Sequence, residues 1–115
     1  ELVDKGFVPV SDISQIDRRR LEICRALATE PALLLLDEPS AGMTPEESIE
    51  LMSDIRRVRE NYYQKLSIIL VEHDMMVIED ITDRVVALNF GKKIAEGTFE
   101  EVSRNEELKE AYLGK

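Results

Sequence analysis

Apolar residues fall into short blocks, and the spacing within each block decides the element it predicts. From about Asp17 to Thr29, Leu21, Ile23, Cys24, Leu27 and Ala28 recur at helical spacing, which predicts a helix with Cys24 in its core face. Glu30-Pro31 ends it, because the residue before proline is pushed out of the helical region. The run Leu33-Leu34-Leu35-Leu36 then reads as a buried strand, 32–37, that delivers Asp37 and Glu38 to its C-terminal end, where Pro39 starts a turn. Ser40-Ala41-Gly42-Met43 forms a loop. Thr44 follows as an N-cap, with Pro45 at the first helical position and Glu47 completing a capping box. The helix 45–61 places Ile49, Met52, Ile55 and Val58 on one face.

Leu66-Ser67-Ile68-Ile69-Leu70-Val71 is a second, β-branched strand expected to be buried, ending at Glu72-His73-Asp74. A short helix over about 75–81 leads to a third strand, 84–89. Phe90-Gly91-Lys92 turns the chain into a hairpin partner, 92–97. Thr98 caps a helical start at 99–103, and residues 105–113 form a last helix. Strands alternating with helices predict a layered α/β fold with a largely parallel sheet. The first two strands should run parallel through a right-handed crossover, which puts Asp37, Glu38 and His73 on one sheet edge. Ligands of open α/β sheets bind at that edge.

The chemistry of those residues is coherent. A carboxylate at Asp37 suits Mg²⁺, a hard cation that takes oxygen ligands and substrate phosphates. The adjacent Glu38 can orient or deprotonate an attacking water. Taken singly, each has a plain structural reading: an acidic turn after a core strand, a surface histidine, a turn glycine at Gly42.

Composition narrows the classes. The chain has 115 residues, 43% of them apolar, and a formal charge of −9, which argues against nucleic acid as a partner. Its basic clusters, Arg18-Arg19-Arg20 and Arg56-Arg57, read as solvated helix faces. A single cysteine leaves no internal disulfide or cysteine-based metal site. No apolar run approaches the roughly 18 residues of a bilayer span, and no signal-peptide pattern opens the chain. A soluble protein of a reducing compartment, with no direct membrane insertion, is therefore expected. Glu1 as the opening residue points to a fragment or processed chain.

The ordered series strand-Asp37-Glu38-Pro39, Ser40-Ala41-Gly42-Met43, strand-Glu72-His73-Asp74 resembles the C-terminal half of the ATP-binding subunit of ABC transporters. The resemblance runs from about Ile13 to Gly114. Arg19-Arg20-Leu21-Glu22-Ile23, Ala26 to Pro31, Ser40 to Pro45, Phe90 to Thr98 and Glu110 to Gly114 look like the ATPases of branched-chain amino acid importers. The resemblance implies an α/β, partial P-loop NTPase-like layered fold. Its mainly parallel sheet lacks the phosphate-loop strand, and a C-terminal hairpin and helices follow. It divides the chain into a signature lead-in (1–16), a core (17–97) and C-terminal helices (98–115). It implies catalytic roles for Glu38 and His73, nucleotide contacts for Ser14, Asp37, Ser40 and Gly42, and Mg²⁺ at Asp37, directly or through water. It implies ATP and Mg²⁺ as cofactors. The implied partners are a second ATPase subunit in a head-to-tail dimer and membrane permease subunits. The implied location is the cytoplasm, peripheral on the cytoplasmic face of the membrane.

Two departures qualify that expectation. No Gly-x-x-x-x-Gly-Lys-[Ser/Thr] loop occurs, so the backbone nest and lysine that cradle phosphates are missing. The segment Ile13-Ser14-Gln15-Ile16-Asp17 aligns with the family's Leu-Ser-x-Gly-Gln; Ile16 replaces the glycine, and Asp17 is expected to put negative charge where an anion should dock. The isolated chain is expected to lack ATPase activity. Without the phosphate-loop strand it should close the gap, self-associate or pair with another segment. A non-catalytic interaction or regulatory module that retains the scaffold is the alternative. An unrelated metal-dependent hydrolase using Asp37, Glu38, His73 and Asp74 is a third reading.

Overall fold

The structure, a computed structural model, describes residues 2–113, so Gly114, the end of the tail resemblance, lies outside the described residues. The chain resolves into two compact units, Glu1–His73 and Asp74–Lys115.

In the first unit, two short 3-10 turns, Leu2–Lys5 and Val10–Asp12, precede helix α1, Gln15–Leu27. The helix starts two residues earlier than its apolar pattern indicates because Ser14 is a working N-cap: its hydroxyl accepts from the Asp17 N–H. Strand β1, Leu33–Asp37, helix α2, Pro45–Tyr62, and strand β2, Ser67–Val71, follow. The α2 start is the capping box read from the sequence, with Thr44 and Glu47 satisfying each other's backbone N–H groups. At the other end Arg59 Nε donates to the Leu66 carbonyl at 3.0 Å, tying the helix to the approach to β2.

Strands β1 and β2 pair in parallel, Leu33 opposite Ser67 through Asp37 opposite Val71. Parallel strands covered on both faces read as continuous apolar runs, and these sequences have that form. Here only alternate residues are buried. Leu34 and Leu36 are buried, whereas Leu33 and Leu35 are 47% and 66% exposed. On β2, Ile69 and Val71 are likewise about half exposed. The expectation of fully buried strands is thus corrected: this chain covers one face of the pair and leaves the other open.

Helical registers also differ in detail from the sequence reading. The buried stripe of α2 is Ser48, Leu51, Met52 and Ile55, while Ile49 is exposed. Cys24 is exposed rather than in the core, because α1 turns Ile16, Ile23 and Leu27 inward instead. Arg20 does not belong to a solvated face. It donates to Asp17, Glu50 and Asp54 at 3.0, 2.6 and 2.8 Å, joining α1 to α2.

The second unit contains helix α3, Met75–Ile81, an antiparallel hairpin of β3, Val85–Asn89, and β4, Lys92–Gly97, then helices α4, Phe99–Ser103, and α5, Glu106–Leu113. A second capping box, Thr98 with Glu101, starts α4. Glu96 on β4 bonds Lys93 and Arg84, and these cations hold its carboxyl down at about 2. The described strands therefore form one parallel and one antiparallel pair, in place of the mainly parallel sheet expected. The α/β class stands.

Candidate functional site

The parallel register of β1 and β2 carries the candidate site. The ladder extends one residue past the strands, with the Glu38 N–H donating to the Val71 carbonyl at 2.8 Å. That alignment brings the side chains after the two strands together. His73 Nδ1 lies 3.6 Å from Glu38 Oε1, within ion-pair range for a protonated imidazole but beyond hydrogen-bond reach. Both groups are open to solvent, and the Asp37 carboxylate beside them is exposed. Glu38 has φ of 45°, a left-handed conformation uncommon for a residue with a Cβ.

The loop after Glu38 is built to hold this turn. Pro39 is fully buried, the Ala41 N–H donates to the Glu38 carbonyl at 3.1 Å, and the Met43 N–H to the Ser40 carbonyl at 3.1 Å. Ser40 is anchored across the strand ends: its N–H and hydroxyl both donate to Glu72 Oε1, at 3.1 and 2.7 Å. Gly42 has φ of +75°, where glycine carries no steric cost, and a Cβ there would stand 2.7 Å from the Gln15 side-chain nitrogen. That nitrogen donates to the Ala41 carbonyl at 3.0 Å. The 40–43 loop and the start of α1 are therefore in direct contact.

Glu38, His73, Ser40 and Gly42 thus gather at one edge together with Asp37. Ser14, one residue before Gln15, has its hydroxyl committed to the α1 cap. The neighbouring Asp17 behaves differently from expectation. Rather than facing an incoming anion, it is 3% exposed and paired with Lys5 and Arg20. The Lys5 ammonium holds its carboxyl below the ordinary value of 3.8 against the cost of burial, and Arg20 and Ser14 add to the effect. On the Arg20 side, burial works against the guanidinium, but Glu50, Asp17 and Asp54 outweigh it and raise its pKa. Ile16 is also buried. The Ile13–Asp17 segment serves helix α1 as a structural cap.

Two contributors escaped the sequence reading. Glu72 was legible only as the residue before His73, and its cross-strand partner Ser40 is 32 positions away. Gln15 lay in the altered segment, and nothing local tied it to residue 41.

The donor set suits a cation that brings its own ligands. Among the described residues, no group of three or more His, Cys, Asp or Glu side chains gathers to hold a metal. The third reading, a self-contained metal hydrolase, therefore has no ligand cage to stand on. One exposed carboxylate at a strand end fits Mg²⁺ whose remaining ligands are phosphate oxygens and water.

No protein-family model matches the chain. It is 42% identical over 113 residues to the high-affinity branched-chain amino acid transport ATP-binding protein LivG of Salmonella typhimurium, covering 98% of this chain and 44% of that protein. It is 40% identical over 97 residues to the corresponding protein BraF of Pseudomonas aeruginosa, covering 84% of this chain and 37% of that protein. A solved ATP-binding cassette of an ABC transporter superposes with a TM-score of 0.80 at 24% identity, over 91% of this chain and 42% of that one. The fold is therefore part of an ATP-binding cassette. The chain spans less than half the length of the curated relatives it matches.

Proposed function

From its homology to the ATP-binding proteins of branched-chain amino acid ABC transporters, we propose that this chain is the C-terminal portion of an ATP-binding and ATP-hydrolysing subunit that energises import of branched-chain amino acids. The observation that carries this reading is the convergence of Asp37, Glu38 and His73 at one strand edge, with Glu38 and His73 3.6 Å apart.

Bound ATP with Mg²⁺ would supply the transferable phosphoryl group and the cation that offsets its charge. Asp37 would hold that cation, directly or through water. Glu38 would accept a hydrogen bond from the attacking water, orienting it and taking up its proton as the water oxygen bonds the terminal phosphorus and the bond from that phosphorus to the bridging oxygen breaks, with ADP as the leaving group. His73 would hydrogen-bond the terminal phosphate and register its presence. Ser40 and Gly42 lie on a loop suited to contact a second ATPase subunit, and Ser14 would contribute to that subunit's nucleotide. Membrane permease subunits would complete the assembly, with the chain peripheral on the cytoplasmic face. Among the described residues no helix is long and apolar enough to cross a membrane.

A second reading, a non-catalytic interaction or regulatory module on the same scaffold, is favoured by the Ile13–Asp17 segment. There Ile16 and Asp17 are buried and the Ser14 hydroxyl caps its own helix. A phosphate approaching this segment would have to displace those contacts. The isolated chain, with no phosphate-binding loop, should show negligible ATPase activity under either reading.

An amide-resolved NMR titration with Mg²⁺-ATP separates the two. Shifts confined to Asp37, Glu38, His73 and their neighbours are expected of an ATP-binding half-site. A dispersed spectrum that does not move in excess nucleotide would refute an ATP-binding half-site in this chain and leave the second reading.

A further inference from the structure

Glu38 holds a left-handed backbone, and such a conformation persists only where its surroundings over-determine it. On the β2 side its N–H is fixed to the Val71 carbonyl. On the other side the chain turns through buried Pro39 to Ser40, whose N–H and hydroxyl converge on one oxygen of Glu72. Glu72 is the immediate neighbour of His73. The same two residues, 71 and 72, thus pin both ends of the short segment that presents Glu38 to the imidazole.

We propose that Glu72 is a positioning residue: by anchoring Ser40 it fixes the 38–41 turn and so sets the spacing between Glu38 and His73. Its importance to hydrolysis rests on the functional reading above; the geometric claim does not. The Glu72 side chain accepts both its hydrogen bonds from Ser40 and acts through that residue. The contact makes the placement of the Ser40–Met43 loop and the Glu38–His73 spacing a single variable. A displacement of that loop would therefore be felt at His73.

The chemistry also says which part of the Glu72 side chain matters. Oε1 accepts both Ser40 bonds, while Oε2 is buried with no hydrogen-bond partner. The anchor needs one carbonyl-type acceptor at that position, which a glutamine side chain also provides. Glutamine keeps that acceptor for both Ser40 bonds while removing the charge, and its NH2 takes the second, partnerless position.

The chain contains a single histidine, so its imidazole carbon–proton resonances report on His73 alone. The test is a double-mutant cycle on the nucleotide-free 115-residue chain, reading the displacement of those resonances caused by Glu38→Gln. With Glu72 present, E38Q should move the His73 signals. In the Glu72→Ala background the same substitution should move them measurably less. Glu72→Gln should restore the full displacement, and Ser40→Ala, which removes one of the two bonds, should give an intermediate value. An E38Q displacement undiminished by E72A or S40A would overturn the proposal. Failure of E72Q to restore it would overturn the hydrogen-bond anchor as its basis. Because no nucleotide is present, this result is independent of the Mg²⁺-ATP titration, and either can fail without the other.

Discussion

Replacing Asp17 by asparagine tests whether this residue stabilises α1 or serves an anion. The side chain is 5% exposed and accepts from Arg20 Nη1 at 3.0 Å and from the Lys5 ammonium. A hydrogen bond between charged groups contributes about 1.5–3 kcal/mol. The Lys5 partner, 44% exposed, is screened and contributes about 0.2–1 kcal/mol. Arg20 keeps Glu50 and Asp54, so Asp17→Asn strands no buried cation. The expected loss at pH 7 is therefore about 2 kcal/mol, a fall of about 1 M in the urea midpoint for a slope of about 2 kcal/mol/M. The pH dependence gives a second check. The carboxyl is depressed below 3.8 in the folded chain, so its contribution is present above that value and is lost as pH falls through the lower folded value. Urea denaturation followed by circular dichroism from pH 7 to pH 2.5 should show wild type and D17N converging below about pH 4. A gap that stays constant over that range, or no gap at pH 7, would refute the pairing argument.

Two further outcomes follow from the same geometry. Gly42→Ala imposes a positive φ on a residue with a Cβ and pushes against the Gln15 nitrogen 2.7 Å away. It should cost about 1 kcal/mol and speed exchange of the amides of residues 41–43, as measured by hydrogen exchange; unchanged stability and protection would contradict the contact. Leu35→Lys alters a side chain that is 66% exposed on the uncovered face of the β1–β2 pair. It should leave the thermal midpoint nearly unchanged while reducing concentration-dependent association in sedimentation velocity, and identical sedimentation of the two chains would count against that face as the adhesive one.

The sequence by itself determined the order and type of the helices and strands from α1 to α5, most boundaries to within two positions, and the Thr44–Glu47 capping box, but not the two 3-10 turns that precede α1. Such features are local: Thr44 and Glu47 meet within one helical turn, so spacing alone reveals the box, whereas at Thr98 only the cap was read and its Glu101 partner came with the structure. The delivery of Asp37, Glu38 and His73 to one edge was also legible, because a strand-helix-strand unit has one favoured hand and its strands end on the same side. Tertiary structure decided what each of these positions faces. Four consecutive leucines cannot say whether both faces of their strand will be covered, and Leu33 and Leu35 are left exposed. An aspartate in the aligned signature segment cannot announce that Lys5 and Arg20 will enclose it. Nor does a glutamate before a histidine reveal a serine 32 residues earlier as its partner. Local pattern sets periodicity and caps through neighbouring atoms, whereas burial, ion pairing and cross-strand anchoring depend on which distant segments the fold brings within a few ångströms.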